Sequence, residues 1–303
     1  SFYNALSDFC DFTVLTDVES EFNRKWRLDS EGFLFRHWVM NSFSLVLPRI
    51  RKDLDYAEHR QMHFSEKLWL YLWRLRPDVV VSNELGLRSL GCMIYAKIMN
   101  CHWILMSEAT NHTEGWVSWP KRLIRRLLIS QADGFWSNGR ETNHFLMDRG
   151  ADLDAIMPDM TGISTTEFRK SSLLAYDQRE ELRSRIGLSG IVFLFVGRLE
   201  SGKGISPLMQ AIERRKSELA GRCSFLFVGS GALQEEAEAK ARKISGVPFH
   251  FEGFVQPDQL PKFFAMGDVF IMPTLDDNWP LVNLEALAAG LPQIYSIFNG
   301  GMM

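Results

Sequence analysis

Two α/β domains, each a parallel sheet with helices between its strands, are the architecture this chain predicts. Three observations point there. Short β-branched and aromatic runs alternate with helical patterns of about ten to fifteen residues over most of the length. A polar stretch from about Thr161 to Ser189 interrupts that rhythm once. The chain has 303 residues, 46% of them hydrophobic and 23% charged, which suffices for two ordinary cores.

In chain order, the first half offers strands at FTVL (12 to 15), DVVVS (78 to 82), HWILMS (102 to 107) and GFWS (134 to 137). Between them lie the helical stretches SEKLWLYLWRLR and LRSLGCMIYAKIM. After position 190 the rhythm is clearer, with strands IVFLFVG, SFLFVG, PFHFEG, DVFIMP and PQIYS separated by helices. The expected organisation is a Rossmann-like domain over 1–165, a connector over 166–189 and a second Rossmann-like domain over 190–303. Ligands of such sheets bind at the carboxyl ends of the strands, so the site should lie in a central cleft between the domains.

A net charge of −3 gives no global attraction to nucleic acid, and no nucleic-acid partner is expected. Cys10, Cys92, Cys101 and Cys223 form no C-x-x-C pair or metal-ligand cluster and read as reduced residues, which predicts a cytoplasmic location. No apolar run reaches the ~20 residues that span a bilayer.

The chemistry is concentrated in two loops. GRLESGKG follows the strand at 191 to 196 and opens a helix near Ile205. Its glycines permit a tight turn, and the helix start offers free N–H groups to a phosphate. Arg198 can grip phosphate oxygens in bidentate fashion, while Lys203 supplies a point charge. The second loop, DNWPLVNLEALAAG at 277 to 290, places Asp277 eight residues before Glu285. Asp276, Asp277 and Asn278 are positioned to cap the following helix, with Pro280 in its first turn. Each motif alone is equally compatible with a solvated loop and a capped amphipathic helix.

Five motifs in order carry a resemblance: VGRLESGKG, FVGSGAL (227 to 233), FEGFV (251 to 255), DVFIMPT (268 to 274) and DNWPLVNLEALAAGLP (277 to 292). Over Ile191 to Gly301 the chain resembles the donor-binding domain of retaining GT-B glycosyltransferases, in particular glycosyltransferase family 4. Weaker echoes at 76 to 86, 137 to 151 and 162 to 168 extend the resemblance. It implies a nucleotide-sugar donor, UDP- or GDP-linked, and a saccharide or lipid-linked acceptor. Arg198 and Lys203, with the amides of Leu281 and Val282, would hold the diphosphate. Glu285 would contact the ribose, Asp277 the transferred sugar, and the backbone around Phe254 and Val255 the base. The family commonly has Glu at position 277 and Gly at 280, and the usual Asn and Asp around the linker glycine are here Thr161 and Ser164. Against the family pattern the chain starts after the first strand and Gly-rich loop and stops before the last helices, so it is expected to be truncated at both ends and weakly active or inactive.

No metal or other cofactor is expected. D-x-D occurs at 53 to 55 and 152 to 154, but about one is expected by chance at this aspartate content, and both read as surface charge. On the acceptor side, SEATNHTEGW (107 to 116) follows a strand, and Glu108, nearest the strand end, is preferred over His112 and Glu114 for binding or deprotonating an acceptor hydroxyl. Next comes WPKRLIRRLLIS, with Lys121, Arg122, Arg125 and Arg126 on one helical face, Leu123, Ile124, Leu127 and Leu128 on the other, and Trp116 and Trp119 upstream. A helix over 119–130 of this kind either lies on an anionic membrane, here the inner face, or packs its leucines on the sheet. Two other readings of the chain are a nucleotide-sugar epimerase on the same fold and a non-catalytic nucleotide-sugar-binding module.

Overall fold

The computed structural model describes residues 2–19, 32–51, 56–115, 117–158 and 162–301. The D-x-D at 53 to 55, Trp116 and Thr161 lie outside these residues. Strands β1 (Thr13–Thr16) and β2 (Arg36–Val39) form a parallel pair. Strands β3 (Phe43–Arg51) and β4 (Tyr56–Phe64) form an antiparallel hairpin. A parallel sheet follows in the order β5 (Val79–Asn83), β6 (His102–Ser107), β7 (Gly134–Ser137) and β8 (Ile156–Met157). Its buried face carries Val80, Trp103, Leu105 and Phe135 against Cys92, Tyr95, Leu128 and Ile129 from the helices Leu87–Met99 and Trp119–Gln131.

The second sheet contains β9 (Ile191–Val196), β10 (Cys223–Val228), β11 (Phe249–Gly253), β12 (Val269–Met272) and β13 (Gln293–Tyr295). All are parallel, in the order β11-β10-β9-β12-β13. Every residue of β10 is buried, as expected for a central strand with helices on both faces. The core joins Val192, Leu194, Phe227 and Phe270 from the sheet to Leu208, Ile212 and Phe264 from its helices.

Two sheets with separate cores match the α/β architecture expected from the sequence. The stretch 166–189, read as a connector, is largely helical: Thr165–Tyr176 and Arg179–Arg185 pack on the second domain. Phe168 lies edge-on to Phe264 at 5.2 Å. Arg183 is buried and donates to the carbonyl of Met266 and to Asp268, 2.7 Å away, which also binds Arg179. The charge that suggested an exposed linker therefore turns inward, as paired buried charge can.

The hairpin β3–β4, absent from the sequence expectation, packs through β4 on Ser201–Lys203 of the second domain. Pro48 sits opposite His59 within it. A two-stranded ribbon tolerates proline because each strand has an unpaired edge.

Candidate functional site

Strand order locates the site. From β9 the chain moves outward through β10 to β11, then returns to the other side of β9 for β12 and β13. Open parallel sheets bind ligands at the carboxyl ends of strands where this reversal occurs. The loops leaving those ends are 197–204 after β9 and 273–280 after β12. They are laced together, because the carbonyl of Gly202 accepts from the Leu275 amide at 2.8 Å and from the Thr274 hydroxyl at 3.0 Å. Gly204 has φ +72°, and a Cβ there would stand 1.9 Å from the Pro273 carbonyl oxygen. Only glycine permits that approach.

Across these loops Lys203 Nζ forms an ion pair with Asp277, both side chains largely buried. Arg198, half-exposed on the same loop, pairs with Glu200 at 2.8 Å. The backbone of 197–199 is fixed by the neighbouring 228–233 segment: the Gly197 amide donates to the Val228 carbonyl at 2.9 Å, Leu199 to Ser230 at 3.0 Å, and Leu233 to Leu199 at 2.8 Å. This gives the FVGSGAL motif a role as a shelf beneath the cationic loop.

The helix Leu281–Ala288 starts beside the pair. Its N-cap position is Pro280, with no side-chain cap, so the expected capping by Asp276, Asp277 and Asn278 is not what the structure has. Asp277 turns to Lys203 instead, where an opposite charge outcompetes an amide. The Asn283 amide closes on the Pro280 carbonyl at 3.0 Å, while the amides of Leu281 and Val282 have no partner within the helix by its geometry. Glu285 is the fifth residue, and burial pushes its carboxyl up to about 7.

The opposing wall comes from the first domain. Asn138 and Gly139 follow β7, and Glu108 follows β6. The buried Asn138 amide donates to Glu108 at 3.3 Å. Gly139, at φ +63°, faces the Trp279 indole, and a Cβ there would stand 2.6 Å from the ring. His112 stacks on Phe298 with ring centres 4.7 Å apart, and its Nε2 lies 3.2 Å from the Leu275 carbonyl oxygen. The carboxyl-end rims of both sheets therefore meet, and the laced loops lie between them.

Residues 190–302 match the family model Glycosyl transferases group 1. Among curated proteins, the sulfoquinovosyl transferase of Arabidopsis thaliana is 25% identical over 238 residues, 75% of this chain and 44% of that protein. The chain spans less than half the length of each of the first curated relatives it matches. Among solved structures, the sucrose-phosphate synthase of Thermosynechococcus elongatus has a TM-score of 0.66 at 14% identity, covering 98% of this chain and 74% of that one. The HepE protein of Anabaena, solved in complex with UDP, has a TM-score of 0.62 at 16% identity, covering 77% of this chain and 64% of that one. These likenesses establish the GT-B fold.

Within the segment matching the group 1 glycosyl transferases, the structure brings Lys203 and Asp277 into contact and sets Arg198 on the same loop. Leu281, Val282 and Glu285 share the adjoining helix. Phe254, exposed, and Val255, half-buried against the core, follow β11, two strands from β9 on the same sheet. Glu108 stands on the opposite rim. Glu114 is committed to Arg125, and both side chains are mostly buried, so it is not an open acceptor group. At 152 to 154, Asp152 caps a short turn by accepting from the Asp154 amide at 3.1 Å, a structural use of the second D-x-D. Trp279, Gly139, Asn138 and Phe298 were missed by sequence reasoning. A contact between residues so far apart in the chain leaves no local pattern.

Proposed function

We propose that the chain transfers a sugar from a nucleotide-sugar donor to a hydroxyl of a polysaccharide or glycolipid acceptor, with retention of anomeric configuration and without a metal ion. The reading is carried by one observation: a cation–carboxylate pair at the reversal point of the donor sheet, between a cationic loop and a helix start. In the free protein Lys203 is neutralised by Asp277. A diphosphate entering between the two loops brings a stronger anion to Lys203 and Arg198, and releases Asp277 toward the hydroxyls of the transferred sugar. The Leu281 and Val282 amides add hydrogen bonds to the phosphate oxygens. As the bond from the anomeric carbon to the diphosphate oxygen breaks, charge grows on that oxygen, and these donors stabilise it without reorganising. The acceptor hydroxyl attacks from the face the diphosphate leaves and gives its proton to the departing phosphate oxygen. Glu108 on the opposite rim orients the acceptor.

Glu285 contacts the ribose in this reading, and the backbone of Phe254 and Val255 faces the base. The UDP in the complex of the Anabaena relative supports a uridine diphosphate donor for this chain. The test is calorimetry with UDP followed by transfer assays with UDP-sugars and an added saccharide acceptor. Wild type binds UDP and transfers, whereas Lys203→Ala and Glu285→Ala retain their circular dichroism spectrum and lose transfer at least 100-fold. Donor isomerisation without transfer would identify an epimerase, binding without turnover a recognition module, and activity of Glu285→Ala within a few-fold of wild type would refute the site.

A further inference from the structure

The helix Trp119–Gln131 packs only one of its leucines, Leu128, in the core and turns Leu123 and Leu127 outward. Leu128 and Ile129 are its buried residues, with Arg125 held beneath it by Glu114. Trp119, Leu123 and Leu127, spaced four apart, form the outward stripe and are 72%, 59% and 46% exposed. Beside it on the same face of the sheet lies the helix Leu87–Met99, whose outward residues Leu87, Ile94 and Ile98 are also exposed. Single exposed apolar residues are ordinary, but a contiguous patch across two helices is not.

The charge on these two helices has one sign. Neither helix contains an aspartate or glutamate. Lys97, Lys121, Arg122 and Arg126 are exposed on them. Of the carboxylates near the two helices, Glu114 pairs with Arg125, Asp17 with Arg88, and Asp133 accepts from the Trp103 amide at 2.8 Å, while Glu84, just before Leu87, is exposed. An apolar stripe with a tryptophan at its end, on helices that carry cations and no carboxylate of their own, is the chemistry of an interfacial helix on anionic lipid.

We infer that the outer face of these two helices docks on an anionic bilayer. Docking is coupled to the cleft, because Arg122 donates to the carbonyls of Val117 at 2.7 Å and Gly115 at 2.8 Å, and Arg125 holds Glu114. Those groups belong to the loop that carries Glu108 and His112. The membrane would thus lie beside the loop that carries Glu108 and His112. Among the described residues no helix is long and apolar enough to cross a membrane, so the contact is peripheral.

The surface is separate from the donor site, and its test needs no turnover. Vesicle flotation compares phosphatidylglycerol-containing with pure phosphatidylcholine vesicles, using wild type, Trp119→Ser/Leu123→Ser/Leu127→Ser and Lys97→Glu/Lys121→Glu/Arg126→Glu. Arg122 and Arg125 are left intact because they hold the loop. Each basic residue near an anionic surface contributes about fivefold in partitioning, so the charge-reversed protein should lose about 100-fold or more. The serine variant should lose binding to both vesicle types, and all three proteins should share one melting temperature. Equal recovery of the three, or no preference of wild type for anionic vesicles, overturns the inference. So does a wild-type dimer that the serine variant dissociates while lipid recovery stays unchanged, which would identify a second copy as the occupant.

Discussion

Strand β10 of the donor-side sheet is buried at every residue, whereas β5 of the other sheet alternates, with Val80 and Ser82 buried and Val79, Val81 and Asn83 exposed. The aromatic ladder makes the same contrast: Phe193, Phe225 and Phe249 stack across β9, β10 and β11 with centres 5.2 and 5.5 Å apart. A sheet packed on both faces cannot shift one loop without disturbing the next, so its rim is a fixed platform. The other sheet is less fully covered, since its edge strand leaves one face exposed and β6 and β7 alternate buried with half-buried residues. The candidate site thus rests on the more fully buried sheet and is faced by the less fully buried one.

The sharpest way to break that comparison is at the platform. Lys203→Ala removes the ion pair with Asp277 that bridges the loops after β9 and β12, and transfer should fall by about 10²- to 10³-fold. Because Leu275 and Thr274 still bond to Gly202, the fold should persist, and the melting temperature should move little. A comparable loss from Glu108→Ala would instead give both rims equal weight.

Gly139→Ala probes the meeting of the rims. The added methyl would stand 2.6 Å from the Trp279 ring at a backbone angle that favours glycine. Transfer should fall roughly tenfold, the loss residing in kcat more than in UDP affinity, since the platform itself is untouched. Gly139→Ala/Trp279→Ala relieves the clash, and recovery of UDP-saturated turnover in the double variant checks that steric push, not backbone strain, is responsible.

How much of this was legible follows the same division. Continuous apolar runs announced β9, β10 and β12, and the cationic and acidic loops that the sequence grouped together are in contact in the fold through Lys203 and Asp277. Strand order was not readable, so the reversal that makes Lys203 and Asp277 adjacent came only from the fold. The hairpin β3–β4 was hidden because Pro48 and mixed charges break its alternation. The stretch holding Arg179 and Arg183 read only as a polar connector, because nothing local reveals that Asp268 and the Met266 carbonyl receive these side chains. The leucines at 123, 127 and 128 could be read either as core or as an outer face, and the fold divides them, with Leu128 buried and the other two facing out.

A smaller effect comes from pH. Glu285 titrates near 7 in the folded chain and near 4.5 when unfolded, because burial penalises its charge. Folding therefore loses stability as pH rises between about 4.5 and 7, and the full penalty is present above that window. Glu285→Gln removes it, so the variant should be more stable than wild type at pH 8 by up to about 3 kcal/mol, on the order of 5 °C in melting temperature. At pH 4 the two should converge. Equal stability at both pH values would mean that the carboxylate is solvated and that the platform is less tightly packed than β10 suggests.

The smallest change expected is Asp277→Glu. The carboxylate gains one methylene at a site where it already reaches Lys203 from the neighbouring loop. Position 277 is also tied by a bridge to Asn299 and by the Gly300 amide, 2.9 Å from its carbonyl, so the backbone cannot retreat to absorb the longer side chain. The ion pair should survive with the carboxylate pushed toward the bound sugar, changing turnover with any one UDP-sugar by about threefold while altering the ranking among sugars. UDP affinity, set by Lys203 and the helix start, should stay constant by calorimetry. A large loss of UDP affinity would place Asp277 among the groups that hold Lys203 in register and not among those that read the sugar.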